Sequence, residues 1–250
     1  MQYPQLPQRI VSLVPSQTEL LYHLGLTDEV VGITKFCVHP TEWFRNKKRV
    51  GGTKNVNIAT VRALQPDLII ANKEENTREQ IEELATLYPV YISDITTIAG
   101  GLEMIRQVGN LVGKGEQGEQ LALQIKQSFE GIRRTEVPLK VAYFIWRQPW
   151  MCAGGDTFIS DMLQQMGWIN VLAHQKRYPV VELEEIRALQ PDILLLSSEP
   201  YPFKEAHIAE LQAALPHTRI ALADGEMFSW YGSRMLYAAE YMNRLLAEIG

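Results

Sequence analysis

Apolar and polar residues are arranged along the chain in blocks that predict strands and helices in alternation. The apolar runs are short and rich in Val, Ile and Leu, as is typical of strands that are buried on both faces. We predict strands at 9–14, 30–34, 67–71, 90–93, 140–146, 193–197 and 219–223. We predict helices at 18–24, 58–64, 77–87, 156–166, 183–189, 206–214 and 233–249. This alternation predicts an α/β fold with mainly parallel sheets flanked by helices.

The first helix carries a start signal. Ser16 follows the first apolar run and Pro15, and Glu19 lies three positions further on. Ser and Glu at this spacing are typical of a capping box, so we predict that Ser16 caps this helix. A nucleophilic role for Ser16 is disfavoured because the glycines of a nucleophile elbow do not surround it.

One phrase of the sequence occurs twice. Arg-Ala-Leu-Gln-Pro-Asp stands at 62–67 and again at 187–192, and an apolar run follows each copy. Proline disfavours helical backbone in the residue before it, so each copy predicts a short helix that ends near the Gln and leads into a buried strand. Two copies are too few for a solenoid. They predict two similar lobes with a ligand cleft between them.

The stretch between the two halves predicts helices only. Leu121, Ile125, Phe129 and Ile132 share one helical face, and a helix over 116–134 would span roughly 28 Å. Such a helix is long enough to bridge two lobes. We therefore expect an N-terminal α/β lobe at 1–98, a helical linker at 99–136 and a C-terminal α/β lobe at 137–250.

Composition and charge narrow the class of protein. Hydrophobic residues make up 46% of the chain and charged residues 21%, which is ordinary for a globular protein. The net charge of -5 argues against a nucleic-acid partner, and no Lys/Arg run suggests a local basic patch. Cys37 and Cys152 fit no zinc or redox spacing, and we predict that both are buried free thiols.

Four segments together resemble the helical-backbone (class III) substrate-binding proteins of ABC importers, which serve cobalamin, ferric siderophores and haem. The segments are 9–19 (RIVSLVPSQTE), 50–53 (VGGT), 62–71 (RALQPDLIIA) and 187–195 (RALQPDILL). The resemblance covers nearly the whole chain and is strongest to cobalamin-binding proteins. It implies a monomer that binds a metal chelate in a rigid inter-lobe cleft and delivers it to a membrane permease. It also implies a periplasmic or membrane-surface location, although the first residues show no export signal, which leaves the cytoplasm open.

Ligand contacts are expected just beyond the carboxyl ends of the parallel strands, where open α/β sheets bind ligands. Flat ligands need aromatic planes, and arginine suits their anionic groups, whereas the alternative is that the aromatic side chains fill the lobe cores. The candidates are Ser16, Gln17, His39, Trp146, Arg147, Trp150, Tyr178, Tyr201, Trp230, Tyr231 and Arg234. Asp224 is either a ligand contact or a turn or cap residue. Because only Arg147 and Arg234 are well placed for an anion, cobalamin is favoured over a strongly anionic siderophore.

The histidines do not form a recognised metal motif. His39 is either a ligand contact, including an axial one, or an ordinary loop residue, and the other four are expected on the surface or in the core. A bare-metal site is therefore disfavoured, and no cofactor is expected apart from the bound ligand itself.

Two glutamates are candidates for permease docking. The resemblance implies one exposed acidic residue on each lobe, and Glu79 and Glu205 are the approximate matches. The alternative for both is a solvated helix face.

An enzyme that uses the same cleft is disfavoured. The chain has no G-x-S-x-G, no P-loop, no G-x-G-x-x-G after a strand and no H-E-x-x-H. The favoured function is the substrate-binding component of an ABC importer. A cytosolic carrier of tetrapyrroles or metal complexes is the alternative.

Overall fold

A computed structural model describes residues 6–249 of the 250-residue chain. The strands are β1 (Ile10–Ser12), β2 (Val30–Ile33), β3 (Lys48–Arg49), β4 (Leu68–Asn72), β5 (Val90–Ser93), β6 (Lys140–Trp146), β7 (Met151–Cys152), β8 (Ile169–Asn170), β9 (Ile193–Ser197) and β10 (Arg219–Ala223). The helices are α1 (Pro15–His23), α2 (Thr41–Asn46), α3 (Ile58–Leu64), α4 (Arg78–Ala85), α5 (Ile98–Leu111), α6 (Gly115–Glu130), α7 (Phe158–Gln165), α8 (Leu183–Leu189), α9 (Glu205–Ala214), α10 (Gly225–Ser229) and α11 (Met235–Ile249).

The chain divides into two compact units. The first unit contains the residues up to Ile95, Ala99–Lys126 and Tyr231–Leu236. The second unit contains Thr96–Ile98, Gln127–Trp230 and the residues from Tyr237 onward. Each unit has its own sheet and its own apolar core.

The sheet of the first unit is entirely parallel, in the strand order β3-β2-β1-β4-β5. Its central strands are fully buried, as their uninterrupted apolar sequences predict. Val11, Val61 and Ile69 are among the side chains that form the core on one face of this sheet. The strand order reverses direction between β1 and β4, which makes their carboxyl ends the expected ligand position in this unit.

The sheet of the second unit has the order β10-β9-β6-β7, and β8 also pairs with β6. β6 is parallel to β8 and β9, β9 is parallel to β10, and β7 is antiparallel to β6. Ala142, Phe144, Leu194 and Leu196 belong to its core. The predicted α/β class with mainly parallel sheets is confirmed.

Both copies of the repeated phrase fold into the same helix-to-strand corner. α3 ends at Leu64 and α8 at Leu189, as the prolines predicted, and each helix is followed by a Gln in the left-handed region. Gln65 has φ 46° and Gln190 has φ 50°. A left-handed residue is a common helix stop because it turns the chain away from the helix axis.

The aspartate that ends the phrase ties this corner to the central strand. The Asp67 carboxylate accepts hydrogen bonds from the backbone N–H groups of Gln8 (2.7 Å) and Arg9 (2.9 Å), at the start of β1. The Asp192 carboxylate accepts one from the N–H of Lys140 (2.7 Å), at the start of β6. In both sheets, the aspartate of the repeated phrase therefore holds the amino end of the central strand through backbone N–H hydrogen bonds.

Two details of the helix predictions are corrected. α1 begins at Pro15 with Val14 at the N-cap position, so Ser16 lies in the first turn and the predicted Ser16 cap is wrong. Proline is well suited to the first helical position because its missing N–H would have no partner there. The helix predicted for 116–134 is α6, which ends at Glu130 because the chain turns at Gly131. Among the described helices, none is long and apolar enough to cross a membrane.

The two cysteines are buried free thiols, as predicted. Burial raises the pKa of the Cys37 thiol and of the Cys152 thiol, so both stay protonated at neutral pH. Thr18 donates a hydrogen bond to the Cys37 sulfur at 3.1 Å. Cys37 is therefore part of the packing beneath the carboxyl end of the first sheet.

Candidate functional site

The carboxyl end of the first sheet rests on a network of buried amides. The Asn72 side chain donates to the backbone oxygen of Ser93 (2.9 Å) and accepts from the N–H groups of Glu74 and Glu75 (2.8 and 3.0 Å). Asn76 accepts from the N–H of Asn72 and donates to the carbonyl of Leu13. These bonds fix the loop after β4 and hold it against the end of β1.

Gln17 belongs to this network. Its side chain is fully buried, and its amide nitrogen donates to the Ser93 hydroxyl. The Gln17 amide oxygen has no hydrogen-bond partner within residues 6–249. Ser16, beside it, is 5% exposed. Gln17 and Ser16 are thus both buried beneath the carboxyl end of the first sheet.

The exposed part of this sheet end is the loop after β2. Phe36 is 50% exposed, and the Lys35 ammonium lies 5.0 Å from the centre of its ring. A Cβ atom on Gly52 would come within 3.3 Å of the same ring, so the loop after β3 packs closely against it. His39 is half-buried in the same loop. This loop therefore presents an aromatic plane next to a cation.

In the second unit, aromatic side chains cluster at the end of β6. Trp146, the last residue of β6, is 39% exposed, and its ring packs edge-on against Tyr201 at 5.8 Å. Tyr201 packs on Phe203 at 4.8 Å, and Phe203 stacks on Trp150 at 6.3 Å. Trp146 is thus the exposed member of a series of ring contacts that reaches Phe203, which is 4% exposed and belongs to the core of the second unit.

Arg147 is held by an acidic residue. Its guanidinium donates to both carboxylate oxygens of Glu210, at 3.0 Å each, and lies 5.7 Å from the Trp150 ring. The hydrogen bond to Glu210 raises the pKa of Arg147. Arg147, Trp150, Glu182 and Glu210 line a cavity of about 240 Å³. Much of the charge of Arg147 is therefore balanced within the protein.

A larger pocket of about 570 Å³ lies at the carboxyl ends of β9 and β10. Its charged lining residues are Glu199, Asp224 and Glu226, and the others are Ser198, Leu222 and Ala223. Asp224 accepts a hydrogen bond from the N–H of Glu226 (3.1 Å) and so serves as the N-cap of α10, one of the two roles expected for it. Glu199 lies two residues beyond the end of β9, in a stretch where the sequence predicts ligand contacts, and Glu226 lies three residues beyond the end of β10. Neither glutamate was among the residues named as candidates.

The segment after α10 is mostly buried. Trp230 is 8% exposed, and its indole N–H donates to Glu199 at 2.8 Å. Tyr231 is 5% exposed. The Arg234 guanidinium donates to both carboxylate oxygens of Glu19 on α1, at 2.7 and 3.0 Å. The structure thus engages all three candidates in internal contacts.

Three candidates remain, one in a loop and two on helices. Tyr178 is half-buried in the loop between β8 and α8, whereas Glu79 in α4 and Glu205 at the start of α9 are exposed. Across residues 6–249 there is no group of three or more His, Cys, Asp and Glu side chains that could hold a metal ion.

Comparison with known proteins settles the family. A family model described as "Periplasmic binding protein" matches residues 10–220, from the start of β1 into β10. The chain belongs to the periplasmic binding protein family. The resemblance inferred from the four sequence segments is thereby confirmed.

Curated relatives match most of the chain. The chain is 26% identical over 243 residues to the vitamin B12-binding protein of Pectobacterium carotovorum, with 94% of this chain and 87% of that protein covered. It is 28% identical over 195 residues to the vitamin B12-binding protein of Vibrio campbellii, with 76% and 70% covered. Both relatives are thus named for the binding of vitamin B12.

Solved structures share the fold. The periplasmic vitamin B12-binding protein BtuF of Vibrio cholerae superposes with a TM-score of 0.79 at 21% identity, with 97% of this chain and 98% of that chain covered. The periplasmic haem-binding protein RhuT of Roseiflexus sp. RS-1 gives a TM-score of 0.82 at 23% identity, with 97% of both chains covered. The same fold thus serves different ligands, so the ligand has to be argued from the site.

Proposed function

We propose that this protein is the substrate-binding component of an ABC import system and that its ligand is cobalamin or a closely related corrinoid. The observation that carries the proposal is the match along 94% of the chain to a vitamin B12-binding protein. A related metal chelate, such as haem or a ferric siderophore, is the competing ligand class. The proposal includes no enzymatic activity and no resident cofactor.

The charge of the second unit's pocket supports cobalamin within this class. Glu199, Asp224 and Glu226 give the pocket hydrogen-bond acceptors and negative charge. The corrin ring of cobalamin carries amide side chains, whose N–H groups donate to carboxylates. Haem carries two propionates, and many siderophores are anionic, so their charged groups would be repelled there. Arg147 offers little compensation because Glu210 already engages its guanidinium.

The exposed aromatic side chains supply the apolar contact that a large flat ligand needs. Phe36 and Trp146 are 50% and 39% exposed. Phe36 lies three residues beyond the end of β2, and Trp146 is the last residue of β6. Burial of an aromatic face against a ligand stabilises the complex through its large apolar area. We propose these two side chains as apolar ligand contacts, with Lys35 close by to pair with an anionic group such as the cobalamin phosphate.

A direct titration tests the proposal. Apo protein is titrated with cyanocobalamin, haem and a panel of ferric siderophores, with tryptophan quenching followed and calorimetry as confirmation. We expect saturable one-to-one binding of cyanocobalamin, tighter than about 1 µM, or roughly 8 kcal/mol. Tighter binding of haem or a siderophore than of cyanocobalamin would contradict the ligand assignment. Absence of binding to all of these ligands would contradict the proposed function.

The permease partner and the location follow from the same proposal. We propose that Glu79 and Glu205 dock on arginines of a membrane permease, at the periplasmic or membrane-surface side. Both side chains are exposed on helices, one in each unit, which leaves them accessible to a partner. Reversal of both charges to Lys should abolish transport in cells and leave the affinity for the ligand unchanged. A loss of affinity would contradict the docking role.

A further inference from the structure

Glu19 and Arg234 form an ion pair that closes a sequence distance of 215 residues. The side chains are only 18% and 13% exposed, respectively. Arg234 donates through its Nε and one terminal nitrogen to the two oxygens of Glu19. This bidentate geometry fixes the orientation of the guanidinium as well as its position.

The arginine lies on a short segment that belongs to a different unit from its neighbours in sequence. Residues up to Trp230 are part of the second unit, Tyr231–Leu236 are part of the first, and the residues from Tyr237 return to the second. The Glu19–Arg234 pair lies wholly within the first unit. The pair therefore holds this six-residue segment on the first unit, between two stretches of chain that belong to the second unit.

Backbone and side-chain packing bring the segment close to two helices of the first unit. Gly232 has φ +115°, and a Cβ atom there would lie 3.4 Å from the carbonyl oxygen of Ser16 in α1. A Cβ atom on Gly101 in α5 would come within 3.0 Å of Met235 and 3.6 Å of Tyr231. The positive φ favours glycine at 232 and lets the chain follow α1 closely.

The residues just before the segment are held by a second carboxylate, within the second unit. Glu199 accepts hydrogen bonds from the Ser229 hydroxyl and the Trp230 indole N–H, at 2.8 Å each. Trp230 and Tyr231 are adjacent in sequence, yet each is fixed to a different unit. Glu199 thus holds the residues before the Trp230–Tyr231 peptide bond, and Glu19 holds the residues after it through Arg234.

We propose that Glu19 is a positioning residue for ligand binding. It fixes Arg234, and through Arg234 it fixes Tyr231–Leu236 on the first unit. The segment that follows α10 and the acidic pocket is thereby held in one conformation. Arg234 then acts as a structural anchor and not as the anion-binding ligand contact that the sequence suggested. The effect on ligand binding rests on the proposed function, whereas the effect on the protein without ligand does not.

The test compares four variants by melting temperature without ligand and by the dissociation rate of cyanocobalamin at 25 °C. E19Q removes the ion pair, R234K keeps the charge without the planar fork, and E19R combined with R234E restores the pair in reverse. E240Q is the matched control because the Glu240–Arg244 pair is exposed. We expect E19Q to lower the melting temperature by roughly 5–10 °C and to speed dissociation at least tenfold. R234K should give a smaller loss, and E240Q should change neither quantity.

The reversed pair decides between an anchor and a ligand contact. Recovery of at least half of both losses in the double variant supports the anchor, because only the mutual contact of the two side chains is restored. Recovery of the melting temperature without recovery of the dissociation rate would show that Arg234 itself contacts the ligand, which overturns the proposal. An E19Q variant that matches the parent protein in both measurements also overturns it. If the parent protein binds no cyanocobalamin, the proposed function fails and the melting temperatures alone decide whether the pair is an anchor.

Discussion

Neutralisation of Glu226 should change which ligands the second unit's pocket tolerates. Glu226 is half-buried and lines the pocket together with Glu199 and Asp224. A sphere of the pocket's volume, 570 Å³, has a radius of about 5 Å, so a charge at its centre lies about 5 Å from a wall carboxylate. At a water-like dielectric constant the repulsion between two unit charges at this distance is about 0.8 kcal/mol, or roughly fourfold in affinity. Glu226→Gln keeps the shape and removes this repulsion for one carboxylate.

The assay measures haem and cyanocobalamin affinity at low and high salt. We expect E226Q to bind haem roughly fourfold more tightly at low ionic strength and to change cyanocobalamin affinity less than twofold. The gain for haem should shrink at about 1 M salt, where the Debye length falls to about 3 Å. The control is E184Q, which removes a glutamate charge from an exposed position in the first turn of α8, outside this pocket. An equal change for both ligands, or a gain for haem in E184Q, would refute the electrostatic reasoning.

Three further predictions concern stability and are checked by urea unfolding. Asp67→Ala should lower the free energy of unfolding by about 2 kcal/mol and Asp192→Ala should lower it by about 1 kcal/mol. The reason is that the Asp67 carboxylate accepts hydrogen bonds from two backbone N–H groups and the Asp192 carboxylate from one. Equal losses would contradict this reasoning. Burial raises the pKa of Glu75, so the folded state loses stability as the pH rises from about 4.5 through that raised pKa; Glu75→Gln should therefore stabilise the protein at pH 7 and have no effect near pH 4. Gly155→Ala should cost about 1–3 kcal/mol, since its Cβ would collide with the carbonyl oxygen of Ala173 in the backbone alongside; an unchanged midpoint would contradict the close approach.

The fold was predictable where the signal is local. The prolines at 66 and 191 mark where α3 and α8 end, and the apolar runs after them are the fully buried strands β4 and β9. The error at Ser16 was also local, because Pro15 competes with the capping pattern as a sign of the first helical turn.

The site was less predictable because its contacts are not local. Nothing in the sequence near Arg234 indicates that its partner is Glu19, at the other end of the chain. Trp230 was chosen as an aromatic group after a strand, but its burial depends on packing that only the folded chain defines. The acidic pocket combines residues from two strand ends, and its charge becomes visible only when Glu199 and Glu226 line the same space.

The two copies of the repeat indicate where stability and ligand preference reside. In the register of the repeat, Asn72 ends β4 and Ser197 ends β9, and each organises the loop that follows, since Asn72 accepts from Glu74 and Ser197 from Glu199. The copies diverge immediately beyond that point. Lys73 pairs with Asp94 in the first unit, whereas its counterpart Ser198 lines the pocket in the second. Glu199, the counterpart of Glu74, holds Trp230 and also lines this pocket. Since the scaffold is duplicated and the loops are not, changes within the repeat should alter stability with little effect on ligand preference. Changes in the loops that follow should do the reverse.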